Sequence, residues 1–176
     1  MKHLIFDTET TNLISTIARP LHKQPRIIEF FGLVWDDSTD QEEAHSWLVN
    51  PGIPIPQKVT EITGITDAMV KDAPSFLLLM PRIVALFHSV DRMVAHNLSY
   101  DKTIVEFELQ RYAGSVNFPE GLCTVEVTES LKGHRLSLSA LYEELFGETF
   151  AGAHRAEQDV RALARCYREL IKRGEI

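Results

Sequence analysis

The sequence predicts an α/β protein, a mixed sheet covered by helices on both sides. Three observations carry that expectation. Residues 4–6 are an apolar run of buried-strand length that breaks at once into two acids, Asp7 and Glu9. Further β-rich runs follow between residues 26 and 49, after which short strands alternate with helical patterns. The last of these is a helix from Ala156 to about residue 173, with Ala156, Val160, Leu163, Ala164, Tyr167, Leu170 and Ile171 recurring at helical spacing.

A chain of 176 residues is read as one domain, residues 1–176, large enough for a sizeable core. Hydrophobic content of 44% with 24% charged residues excludes a disordered chain. No apolar run approaches the ~20 residues of a membrane span, so no membrane partner is expected. The N-terminus lacks the pattern of a secretory signal, and Cys123 and Cys166 are too few for a disulfide framework and fit no zinc spacing. The expected location is the cytoplasm, with both thiols reduced. A net charge of −7 argues against coating nucleic acid through broad electrostatics. It leaves open a protein that grips a strand end through metal ions.

If the first strand continues through Glu9, residues two apart share a face, and Asp7 and Glu9 project the same way. Like charges held that close repel, and a divalent cation between them is the usual remedy. The competing reading is a strand that runs into a solvated acidic turn. Residues 12–25 read as a loop with Arg19, His22 and Lys23, either steering phosphate or simply solvated. Residues 26–35 form a second strand, 36–40 a turn and 44–49 a third strand, giving an antiparallel meander. Residues 50–56 are a proline-stiffened crossing. Thr66 is placed as cap of a short helix from Asp67, and Ser75 as cap of a longer one through Phe87. Residues 93–95 are a short buried strand, and Ser99 is expected to cap a helix over residues 100–113. An extended piece at 122–125 precedes short helices at 126–131 and 137–146.

Two more acids stand at element boundaries. Asp101 lies in the first turn of its helix and Asp159 in the first turn of the last one. Each would gain from the helix dipole, which is a sufficient structural account of either alone. Ligands, however, gather at the C-terminal ends of strands and the helix N-termini that follow, the edge where Asp7, Glu9 and Asp101 fall. His154 precedes Asp159 by five residues, in a loop whose Gly152 and alanines leave it open, and an imidazole there suits a general base. A lone loop histidine is otherwise a surface residue.

Four stretches carry a resemblance: Phe6-Asp7-Thr8-Glu9-Thr10-Thr11, Thr63-Gly64-Ile65-Thr66, His96-Asn97-Leu98-Ser99-Tyr100-Asp101 and His154-Arg155-Ala156-Glu157-Gln158-Asp159. They resemble the motifs of the DnaQ-like 3′-5′ exonucleases, the DEDD group with a catalytic histidine, over nearly the whole chain. The sister subgroup has a tyrosine four residues before the last aspartate, where this chain has Arg155. The resemblance implies an RNase H-like fold with a five-stranded mixed sheet. It implies two Mg²⁺ or Mn²⁺ ions, the first held by Asp7, Glu9 and Asp159, the second by Asp7 with Asp101. It implies His154 as the base, and Thr10, Ile65 and Tyr100 as contacts to the terminal nucleotide, Ile65 as an apolar wedge. The expected partner is a single-stranded DNA or RNA 3′ end, with a DNA polymerase as a further candidate. The chain departs from the family pattern at Thr63, where histidine is frequent, at Lys58, where glutamate is common, and at Cys123-Thr124, where Asp-Thr is common. The alternatives are a polymerase-associated binding module with weak or no catalysis, and a metal-stabilised structural domain. Whether Arg161, Arg165, Arg168, Lys172 and Arg173 of the last helix touch nucleic acid is left open.

Overall fold

The computed structural model describes residues 1–14 and 20–176. Arg19, one of the three basic residues of the expected loop, lies outside them. Five strands form one sheet in the order β3-β2-β1-β4-β5. The antiparallel meander is β1 (Lys2–Thr10), β2 (Ile27–Asp36) and β3 (Gln41–Leu48). The strands β4 (Arg92–Ala95) and β5 (Glu120–Cys123) add in parallel on the other side of β1. The sheet is therefore mixed, as the pattern of elements predicts.

Being central, β1 is apolar on both faces, and its side chains alternate between two cores. Leu4 and Phe6 pack with Ile83, Leu86 and Phe87 of α3 (Phe76–His88) and with Ile104, Val105 and Leu109 of α4 (Leu98–Arg111). Ile5 packs on the opposite face with Val160, Leu163, Ala164 and Tyr167 of α7 (Ala156–Lys172). This alternation fixes where the next residues go. Asp7 and Glu9 continue the Ile5 face towards α7, while Thr8 and Thr10 continue the Leu4 face towards α4. Between β5 and α7 lie α5 (Thr124–Lys132) and α6 (Leu138–Phe146), and Leu141 and Tyr142 of α6 bury Ala162 and Cys166 of α7.

Some boundaries differ from expectation. Asn97, not Ser99, occupies the cap position of α4, without a side-chain capping bond: its φ of 73° is left-handed, a conformation asparagine tolerates, and the helix begins one residue before Ser99. Residues 57–63, assigned to no element from the sequence, form α1 (Gln57–Thr63), which ends on Gly64 with φ 72°. The signals were local, a proline just before the helix and a left-handed glycine just after it. The short helix α2 (Asp67–Val70) is capped by Thr66 as expected, its side chain accepting from Met69 N–H at 3.3 Å. Ser137 caps α6 through Ala140 N–H at 3.2 Å. Ser75 sits at the cap position of α3 but makes no capping bond.

Candidate active site

The two acids of β1 and the acid of α7 meet. Asp7, Glu9 and Asp159 each offer a carboxylate oxygen, and the three oxygens lie within 4.8 Å of one another. The β-alternation aims the first two at α7, and α7 carries Asp159 in its first turn. Asp101 stands on the other side of β1, held by Thr8. Its Oδ1 accepts from Thr8 N–H at 3.0 Å and from Thr8 Oγ1–H at 2.7 Å, in full burial.

The electrostatics show what this crowding costs. Desolvation, then the charges of Asp101, Glu9 and Asp159, pushes the Asp7 carboxyl well above the ordinary range. Glu9 is pushed up to about 8 by desolvation and by the Asp159 and Glu29 charges. Asp101 is pushed up to about 7 by desolvation, against the opposing hydrogen bonds from Thr8. Asp159 is raised by desolvation, partly countered by His154 N–H, which donates to its Oδ2 at 2.9 Å. Carboxylates brought together at such cost suit a cation, and an all-oxygen donor set without sulfur suits a hard divalent one.

His154 is exposed beside this cluster. The sequence suggests an open loop here, but the structure shows a turn folded back on α7. Gly152 has φ 79°, and a Cβ there would meet Gln158 Cγ at 3.0 Å. His154 itself has φ 70°. The glycine serves that close approach rather than openness.

A cavity of about 380 Å³ adjoins the cluster, lined by Glu9, Thr10, Tyr100 and His154 among others. Tyr100 O–H donates to Asn12 carbonyl at 3.1 Å and lies 2.8 Å from Thr10 Oγ1, which itself donates to Asn12 carbonyl at 2.7 Å. Thus Thr10 and Tyr100 line the cavity. Ile65 does not. Its side chain is wholly buried with Ile28, Ile55 and Val70, because the turn after Gly64 tucks it beneath α1. The expected apolar wedge is corrected on that ground. Ile62 of α1, 49% exposed, lines the cavity instead, with Val59.

A family model described as "Exonuclease" matches residues 4–167. The chain belongs to the exonuclease family, in its DnaQ-like branch. DNA polymerase III subunit epsilon of Treponema pallidum is 30% identical over 94% of this chain and 74% of its own length. PolC-type DNA polymerase III of Caldanaerobacter subterraneus subsp. tengcongensis is 29% identical over 97% of this chain, which spans only 12% of that protein. Among solved structures, Exonuclease X in complex with 5′ overhanging duplex DNA is 27% identical with a TM-score of 0.71, covering 98% of this chain and 93% of its own. The nuclease domain of 3′hExo, a DEDDh family member bound to rAMP, shares the fold with a TM-score of 0.79 at 17% identity, covering 98% and 92%. The sheet of this exonuclease domain is accordingly RNase H-like.

Two features of the exonuclease domain were not singled out in the sequence, Glu29 and Arg111. Glu29, on β2 directly opposite Glu9, is buried and accepts from Arg155 Nε at 3.1 Å, Arg155 Nη2 at 2.6 Å and Ala156 N–H at 3.0 Å. It thereby satisfies the start of α7, whose own cap residue provides no side-chain bond. Arg111 closes the base of the loop before β2, donating from Nη2 to the carbonyls of Leu21, Gln24 and Pro25 at 3.1, 2.9 and 3.0 Å. The basic residues of α7 are already engaged. Arg161 pairs with Glu157, Arg165 with Glu148, Arg168 with Glu42, and Lys172 and Arg173 with Glu169. Arg165 and Arg168 also stack on Phe146 and Trp35. That face is a set of ion pairs, Lys172 and Arg173 sharing Glu169, rather than a row of unpaired cations. Among the described residues no helix is long and apolar enough to cross a membrane.

Proposed function

We propose that residues 1–176 act as one exonuclease domain, a divalent-metal-dependent 3′-5′ exonuclease that releases nucleoside monophosphates from single-stranded DNA or RNA ends. The observation that carries this is the meeting of Asp7, Glu9 and Asp159 beside a cavity of one-nucleotide scale that His154 faces. Asp7, Glu9 and Asp159 would hold one Mg²⁺ or Mn²⁺, and Asp7 with Asp101 a second. When bound, such ions supply charge stabilisation for the attacking and leaving oxygens. The exposed His154 imidazole accepts the proton of the attacking water. Water oxygen bonds to the terminal phosphorus as the bond to the penultimate O3′ breaks, and that oxygen ends as a hydroxyl on the shortened strand. Thr10 and Tyr100 hold the sugar side of the terminal nucleotide, and Val59 and Ile62 offer its base an apolar surface that accepts any sequence. The free, buried thiols of Cys123 and Cys166 support a cytoplasmic setting.

A second reading, a polymerase-associated module with weak catalysis, is favoured by the polymerase III names of several relatives. Digestion of matched 5′-labelled DNA and RNA oligonucleotides with Mg²⁺ or Mn²⁺ separates the two. The exonuclease gives a ladder shortening from the 3′ end, lost with EDTA and in Asp7→Ala. Strand binding without shortening would favour the module.

A further inference from the structure

The cavity beside the carboxylates has a charged residue that the hydrolysis above does not use. Among its described lining residues Lys58 is the only lysine or arginine. It is exposed, in the first turn of α1, next to Val59 of the apolar wall. Among the described residues no carboxylate pairs with it. Glu61, the only acid on α1, is occupied by Gln57 Nε2–H at 2.8 Å. The cations of α7, by contrast, each hold a carboxylate. Lys58 is therefore an ammonium without a carboxylate partner among the described residues, in a cavity whose wall also holds Glu9 and His154.

The position constrains what Lys58 can receive. On the exonuclease reading the scissile phosphate is placed at the Asp7, Glu9 and Asp159 cluster, and the cavity of about 380 Å³ has room for one nucleotide beyond it. A second anion inside the same cavity must then belong to the terminal nucleoside itself. In a protein of net charge −7, four carboxylates nearby would repel a terminal phosphate unless a cation met it. Resting on the exonuclease reading, we infer that Lys58 forms a subsite for a 3′-terminal phosphate, so that the enzyme starts on 3′-phosphorylated strand ends as well as on 3′-hydroxyl ends. The first turnover on such an end is the same hydrolysis. Water adds to the terminal phosphodiester, the penultimate O3′ leaves as a hydroxyl, and the product is a nucleoside 3′,5′-bisphosphate. Every later turnover starts from a 3′-hydroxyl.

The test is a single-turnover comparison of 5′-labelled oligonucleotides that differ only in a 3′-hydroxyl or a 3′-phosphate, with the first product identified. The wild type releases nucleoside 3′,5′-bisphosphate from the phosphorylated end. In Lys58→Gln the phosphate-to-hydroxyl rate ratio falls about fivefold, the size of a solvent-accessible charge pair, and Lys58→Glu lowers it further while Lys58→Arg retains it. A wild type that shortens hydroxyl ends but leaves phosphorylated ends intact overturns the subsite and spares the exonuclease. So does a ratio unmoved in Lys58→Gln. If neither end is cut, the exonuclease reading fails, and binding decides the subsite separately. Thymidine 3′,5′-bisphosphate must bind more tightly than thymidine 5′-monophosphate in Ca²⁺ and lose that advantage in Lys58→Gln, and equal binding overturns it.

Discussion

Glu29 and Arg155, 126 residues apart in sequence, meet as a two-point fork that fastens the start of α7 to the sheet. The same carboxylate takes Ala156 N–H, so one strand residue fixes the turn that carries His154 and the first helical turn that carries Asp159. Replacing Glu29 by alanine leaves that end of the helix unsatisfied. The half-exposed guanidinium can turn to water, which limits the loss. Glu29→Ala should lower unfolding free energy by about 2–3 kcal/mol and reduce hydrolysis as well. Urea denaturation and single-turnover rates check both; an unchanged midpoint would refute the fastening.

His154 can be tested without disturbing its backbone. Its left-handed φ of 70° is tolerated by asparagine, whereas its contact to Asp159 runs through the main-chain N–H. His154→Asn should therefore preserve the turn and metal affinity while the chemical step slows by about 10²–10⁴-fold. Metal titration followed by rate measurement separates these effects. Loss of metal binding together with activity would mean that the residue shapes the carboxylates instead.

Ile62 and Ile65 make a paired experiment. Ile65→Ala removes a wholly buried side chain and should cost about 2–4 kcal/mol of stability. Ile62→Ala, on an exposed face, should leave the unfolding midpoint nearly unchanged and raise KM for short oligonucleotides. The reverse pattern would restore Ile65 as the contact to the base.

The metal-free protein should lose stability as pH rises from about 7 to about 8.5. The folded carboxyls of Glu9 and Asp101 sit at about 8 and about 7, above their unfolded values near 4. The folded state thus holds protons that the unfolded chain has released, and stability present at low pH is lost as pH climbs through the folded values. His96, whose imidazole burial pushes downward, acts in the opposite sense, but only below about 6.5, outside this range. Mg²⁺ or Mn²⁺ should raise the melting temperature more at the upper pH than at the lower. Thermal melts with and without metal check this, and a metal-free protein stabilised by rising pH would contradict it.

Period and boundary signals made most of the sheet readable in the sequence. The alternation through Leu4, Ile5 and Phe6 placed Asp7 and Glu9 on one face without any tertiary information, and the stripe of α7 placed Asp159 at its start. What escaped depended on distant partners. Glu29 reads as an ordinary polar strand residue until Arg155 arrives from far along the chain. Ile65 reads as available because burial under α1 is decided by the left-handed turn at Gly64, while Ile62 faces the cavity from one turn earlier. Short helices such as α1 bury too little to announce themselves through periodicity.

The parallel pairing of β1 with β4 runs only from His3 to Ile5. Beyond it, the Thr8 amide is spent on Asp101. Asp7 and Glu9 are therefore mounted where two neighbouring strands part company, on strand backbone that no loop exchange would move. Part of the cavity wall, by contrast, comes from α1 and from Asn12 and Leu13 at the start of the connection to β2, facing Thr8, Glu9, Thr10, Tyr100 and His154. Transplanting residues 56–64 between members of such a fold should therefore exchange that one wall of the cavity, and with it the proposed end preference, while Asp7, Glu9, Asp101 and Asp159 stay in place.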